Sequence, residues 1–254
     1  MSIRLKDDSE FLHIPKTGGE WVTKVLQQND LIEEMSYHKH LDYDLNLFRS
    51  RLPTGKKWII HETRNAPARF RSLLSLKRKT KQPFRFCFVR HPLSWYESWW
   101  KYMNGRGWNT WGATNSTSDW HPCSILNELG SDDFNTFVRN VIEARPGYVS
   151  ELYFSFTKPG ISFIGKTENL ARDLTDVLSR LGFAINSESV SKIEAVNVSK
   201  SPSSAVVWDE ELRRAVLMLE LPALVHFGYI QQTELAEMGI STPLKPNEAL
   251  QSDR

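Results

Sequence analysis

The run Pro15-Lys16-Thr17-Gly18-Gly19 follows a short apolar stretch, Phe11 to Ile14, and precedes the helical spacing Trp21, Val22, Val25, Leu26. The pattern reads as strand, tight glycine turn, helix. In that geometry several backbone N–H groups and a helix N-terminus converge on one spot and attract an anion. Lys16 adds a full positive charge on a flexible stem. The segment is therefore a candidate cradle for phosphate or sulfate. It is not a Walker A loop, in which the Lys follows the glycines and a hydroxyl residue holds Mg²⁺. Here Lys16 and Thr17 precede Gly18 and Gly19, and no apolar strand ending in a metal-binding Asp is evident. The anion is expected to arrive without a metal.

A second group of candidate residues follows another apolar run. Phe84 to Val89 has the continuous apolar-aromatic character of a buried parallel strand. It ends in Arg90-His91-Pro92, and a helix is expected from Pro92, where a missing N–H costs nothing. Arg90 thus stands at the carboxyl end of a strand, the edge at which open α/β sheets bind ligands. Ser98 lies about two helical turns beyond Pro92, and its hydroxyl could join Arg90 on one phosphate.

Together these elements resemble the sulfotransferases that use 3′-phosphoadenosine 5′-phosphosulfate (PAPS). In that family a Pro-Lys-Thr-Gly-Gly type loop holds the 5′-phosphosulfate, and an Arg followed eight positions on by a Ser holds the 3′-phosphate. Arg90 and Ser98 have that spacing. Phe163 to Leu170, with Asp173 and Leu174 after it, is similar to a strand-to-helix segment of the carbohydrate-type branch and its bacterial relatives. Asn197-Val-Ser-Lys200-Ser201 resembles an Asn-x-Ser-Lys segment near the family's C-terminal end, and His226-Phe-Gly-Tyr229 resembles its closing Phe-Gly-Tyr. The resemblance spans about residues 11 to 230. It implies a P-loop-like three-layer sandwich, with a central parallel sheet flanked by helices. It also implies that Lys16, Thr17, Gly18, Gly19, Glu20, Trp21, Arg90, Ser98 and Lys200 hold the cosubstrate, with 3′-phosphoadenosine 5′-phosphate as product and no metal. One departure stands out: position 20 is Glu, where the family usually carries a hydroxyl residue. Its carboxylate is tolerable beside a phosphate if it points away or pairs with a cation such as Lys24.

Sulfuryl transfer, like phosphoryl transfer, is an in-line displacement governed by positioning and charge stabilisation. A cation must stabilise the oxygen of the leaving phosphate, and Lys16 is the candidate. A base must take the proton of the acceptor hydroxyl. His61 follows the apolar run Trp58 to Ile60, hence the carboxyl end of a strand on the same edge as Lys16 and Arg90. An imidazole titrates near neutral pH and suits the role, and in several branches a His just after this strand is the base. Glu62 is the alternative base and a candidate acceptor contact. His13 falls within the first strand and is expected to be structural; His38, His40 and His121 lack metal-ligand spacing. Of the nine tryptophans, Trp95 and Trp99 share a helix face and are expected in the core. Trp108, Trp111 and Trp120 fall in a polar stretch, 104–131, read as a long loop or lid over the acceptor. Trp108 and Trp111 are assigned to stacking on a saccharide or another hydroxylated small molecule. A P-loop-type small-molecule kinase, or a nucleotide-binding protein without transfer activity, is the competing reading.

These residues need a scaffold, and the 254-residue chain, 40% hydrophobic and 24% charged, is ample for one large α/β domain. That domain is expected over 1–240, with 241–254 a disordered tail. A net charge of +2 gives no case for nucleic acid as partner. The basic run Leu76 to Lys81 is expected to be a solvated loop. Two cysteines give no disulfide framework. No segment approaches a signal peptide or membrane anchor in length, and a cytoplasmic protein is expected. Oligomeric state is not legible. Expected elements are strands at 11–14, 57–60, 84–89 and 161–164, and helices at 18–28, 66–76, 92–103, 133–144, 168–181 and 208–219. Their alternation implies a parallel sheet.

Overall fold

A computed structural model describes residues 2–35, 82–108, 122–185, 190, 193 and 206–230. The expected strand at 57–60, the helix at 66–76 and the tail at 241–254 lie outside these residues.

Five strands form one sheet: β1 (Ser2–Leu5), β2 (Glu10–Leu12), β3 (Ile32–Met35), β4 (Arg85–Val89) and β5 (Phe163–Lys166), in the order β3-β1-β2-β4-β5. The sheet is mixed, not parallel as expected. β2, β4 and β5 run parallel, whereas β1 is antiparallel to both neighbours. The reason is chain length. Only Lys6 to Ser9 join β1 to β2, and a parallel crossover needs a dozen residues or more. The joint closes on itself: Leu5 N–H donates to the Ser9 carbonyl at 2.8 Å and Asp8 takes φ 68°. The Asp7 carboxylate accepts from the Ser9 N–H and hydroxyl.

Seven α-helices complete the described fold: α1 (Gly19–Gln28), α2 (Pro92–Asn104), α3 (Phe134–Ala144), α4 (Tyr148–Phe156), α5 (Leu170–Arg180), α6 (Glu210–Leu219) and α7 (Leu221–His226). Strand periodicity sorts their contacts. Phe11, Phe86 and Phe88 face a cluster with Trp21, Val22, Val25 and Leu26 of α1 and Leu174, Val177 and Leu178 of α5. Leu12, Cys87 and Val89 face the opposite way, toward α2, α3, α4, α6 and α7. Helices thus cover both faces, as a sandwich requires.

Trp95 and Trp99 are core, as expected; their rings stack at 5.6 Å with 3° between planes. Both cysteines are buried thiols rather than half-cystines, and burial pushes each thiol up to about 12. Three buried charged side chains find partners inside the protein. Arg85 Nε donates to Glu10 Oε2 at 2.7 Å, the two residues being register partners on β4 and β2. Glu220, fully buried between α6 and α7, accepts from the N–H groups of Val149 and Ser150 and from the hydroxyls of Ser150 and Tyr96. A carboxylate at the first turn of α4 complements the partial positive charge of that helix end.

Candidate anion site

The parallel part of the sheet aligns three strand ends, so the segments after β2, β4 and β5 emerge together. After β2 the chain leaves the ladder at His13 and turns sharply. The Thr17 hydroxyl donates to the Ile14 carbonyl at 2.9 Å, which closes the turn. Lys16 and Gly18 adopt left-handed backbone, φ 64° and 84°. Glycine accepts that conformation freely; for lysine it is strained and marks a position held by its surroundings. One support comes from α2, where Trp95 Nε1 donates to the Pro15 carbonyl at 2.9 Å.

Gly18 is the N-cap of α1 and carries no side chain to satisfy the first-turn N–H groups. Those donors are available to an anion. The absence of side chains here is enforced by packing. A Cβ on Gly18 would lie 2.5 Å from Leu170, and one on Gly19 would lie 1.9 Å from the His13 ring. His13, assigned a structural role from the sequence, is the buried wall behind Gly19.

Arg90 arrives from the end of β4. Its backbone is clamped by Tyr153, whose hydroxyl donates to the Arg90 carbonyl at 2.8 Å and accepts from its N–H at 3.1 Å. Arg90 Nη1 reaches the Lys16 carbonyl at 3.5 Å, so the two cationic segments meet. The guanidinium has no carboxylate partner among the described residues. Ser98 stands half-buried on α2.

Lys16 Nζ lies 4.2 Å from the centroid of the Tyr102 ring. Burial, with Arg90 and Arg106 nearby, lowers its ammonium from the usual lysine range to about 8; Glu20 offsets part of this. Glu20 therefore acts on Lys16, a cation the sequence reading did not pair with it. Arg90, Arg106 and Glu20 thus all act on the Lys16 ammonium. Arg106 and Tyr102 were not picked out from the sequence. Their signal was available in principle: both follow Ser98 on the same helix and its C-terminal turn.

The segment after β5 and the Phe227-Gly228-Tyr229 turn close the same edge. Thr167 Oγ1 donates to the Val89 carbonyl at 3.0 Å. Glu168 accepts from the His91 N–H at 2.8 Å and from the Tyr229 hydroxyl at 2.9 Å. Lys166 Nζ donates to the Gly228 carbonyl at 2.8 Å and lies 4.4 Å from the Tyr229 ring centroid. Burial holds the His91 imidazole below its ordinary value even though Glu168 pulls it up. Four of the five segments that carry the resemblance thus converge. The fifth, 197–201 with Lys200, lies outside the described residues, as do His61, Glu62 and Trp111.

Two of the assigned tryptophans have side chains that pack into the body of the protein. Trp21 does not present its indole to the cradle: Nε1 donates to the Ile193 carbonyl at 3.1 Å and the ring is buried with α5. Only its backbone N–H can serve an anion. Trp108 is not an open stacking face. Its ring packs 5.1 Å from Phe137 and so closely over Gly130 that a Cβ there would lie 2.4 Å away. α3 and the Gly130 turn use part of the apolar area that the polar stretch was expected to offer a ligand. Part of the expected lid is also regular: Ser124–Leu129 is a 3₁₀ turn. No family model, no curated protein and no solved structure matches this chain.

Proposed function

We propose that the protein transfers a sulfuryl group from PAPS to a hydroxyl of a saccharide or other small hydroxylated acceptor. The observation that carries this reading is Lys16, held in left-handed backbone at the mouth of the uncapped α1 helix and joined to an Arg90 that has no carboxylate partner among the described residues. Such a pair suits a ligand with two separate anionic groups. The first-turn N–H groups of α1 and Lys16 would take the 5′ end. Arg90 and Ser98 would take the 3′-phosphate, with Lys200 as a further contact. The cosubstrate supplies an activated sulfuryl group. Lys16 offers positive charge where the phosphate leaves, and His61, or Glu62 in its place, takes the acceptor proton. In this reading the sandwich is a P-loop-like scaffold that works without a metal.

The test is binding of adenosine 3′,5′-bisphosphate in the presence of a chelator. At a hundredfold excess over Kd the fold should gain about 2.7 kcal/mol, or roughly 5–10 °C in Tm for a chain of this size. A shift that needs Mg²⁺ and prefers ATP would replace the reading with a kinase. No shift with either ligand would remove it. His61→Ala should then lower turnover by roughly 10²–10⁴-fold while leaving bisphosphate affinity nearly unchanged.

A further inference from the structure

The donor reading accounts for Lys16 and Arg90 but leaves Arg106 without a task. Arg106 is exposed, makes no ion pair among the described residues, and lies 4.4 Å from the Tyr102 ring centroid, the same ring that Lys16 approaches at 4.2 Å. One aromatic ring thus holds two like charges that would otherwise separate. Cation–π attraction to the shared ring offsets part of their repulsion. The backbone beneath Arg106 is also fixed. The N–H groups of Arg106 and Trp108 both donate to the Met103 carbonyl, and the Gly107 N–H to that of Asn104. Gly107 and Trp108 are left-handed, φ 69° and 54°. The Trp108 ring, seated on Phe137, anchors the turn from the far side. A mobile surface arginine would need none of this. A pinned cation beside Lys16 is what an added anion contact needs.

We propose that Arg106, held on the Tyr102 ring beside Lys16, is a further binding residue of the site and contacts the 5′ anionic end of the donor. The proposal rests on the donor reading above and deepens it. Lys16 is faced by Arg106 and Tyr102 from α2 and its turn, by Arg90 from β4, by Glu20 from α1 and by Cys123 ahead of the 3₁₀ turn. Removing Arg106 therefore does two separable things. It deletes a contact to the ligand, and it removes a positive charge that opposes protonation of Lys16.

The experiment compares adenosine 3′,5′-bisphosphate with adenosine 3′-monophosphate by titration calorimetry on the wild type and on Arg106→Gln, Arg106→Ala and Tyr102→Leu. In Arg106→Gln and Arg106→Ala, bisphosphate affinity at pH 7 should fall roughly tenfold to a hundredfold, the loss of one charge-assisted contact. Affinity for the 3′-monophosphate, which has no 5′ group, should stay within twofold. The decline of bisphosphate affinity at alkaline pH should move to higher pH in these variants, because Lys16 then keeps its proton longer. Tyr102→Leu should weaken bisphosphate binding in the same ligand-selective way. Arg106→Lys should recover part of the loss. Equal weakening toward both ligands, or an unmoved pH profile, would assign Arg106 a merely structural role and overturn the proposal. Wild-type protein that binds neither ligand would instead overturn the donor reading on which it rests.

Discussion

Gly19→Ala is the sharpest probe of how the anion site is built. The added Cβ would lie 1.9 Å from His13 Cδ2 and 2.0 Å from Nε2, against 3.4 Å or more for ordinary contact. Ring or helix must therefore give by about 1.5 Å. The ring has little freedom. It is 4% exposed and stacks near Phe11 with 18° between planes. Overpacking of this kind costs about 1–3 kcal/mol, or roughly 2–12 °C in Tm for this chain length. The shift also moves the α1 N–H groups relative to Lys16, and a misplacement near 1 Å can cost about a hundredfold in function. Adenosine 3′,5′-bisphosphate affinity should accordingly fall at least tenfold. Urea unfolding on Gly19→Ala, His13→Ala and the double variant separates clash from helix propensity. With the imidazole gone, the three nearest atoms to a Cβ at position 19 are removed, and the smaller conformational entropy of alanine should make it neutral or up to about 1 kcal/mol stabilising. The sign of the Gly19→Ala effect should therefore reverse between the two backgrounds. A neutral single variant, or strict additivity in the double, would refute the view that His13 positions the cradle.

Three further outcomes are expected. Glu220→Gln should cost about 2–3 kcal/mol in chemical denaturation, because an amide cannot accept from all the groups that now donate to the carboxylate; a loss under about 0.5 kcal/mol would show that this buried hub is dispensable. Lys16 titrates near 8 in the free protein, and a bound anion raises that value, so binding at pH 8 should take up about half a proton; affinity should fall as pH rises through this range, and calorimetry showing no buffer dependence would contradict it. Trp108→Ala should destabilise by about 2 kcal/mol, below the roughly 3–5 kcal/mol of a fully buried tryptophan because the ring is only half-buried; an unchanged Tm would restore the ring to the acceptor side.

The residues that dominate the fold were the easiest to read. β2 and β4 are buried on both faces, so they appear as unbroken apolar runs, and Arg85 does not spoil the pattern because Glu10 neutralises it in register. α1, α2 and α5 announce themselves through glycine, proline and helical spacing. β1 and β3 did not. β3 is an edge strand whose Glu33 and Glu34 give it the look of a surface loop, and β1 precedes every motif. α4 was missed because its sequence, Tyr148 to Phe156, is apolar nearly all round and lacks a capping side chain of its own; the cap is supplied by Glu220, 70 positions away from Ser150. In the candidate site, charge and spacing single out Lys16 and Arg90, and the structure brings their segments together. What spacing could not convey was orientation. Trp21 and Trp108 turn inward, and Tyr102 turns toward Lys16, for reasons that only packing decides.

The cradle draws its parts from opposite sides of the sheet. The Pro15–Gly18 turn starts at Leu12 and Ile14, which belong to the cluster under α2, and ends in α1, whose apolar face belongs to the other cluster. Arg90, Ser98, Tyr102 and Arg106 all come from the α2 side. An anion gripped by α1 and by these cations at once would rivet the two halves of the molecule across the top of the sheet. Occupancy should therefore be felt far from the site, as slower amide exchange in α5 and α3 alike, helices on opposite layers that share no contact with the ligand.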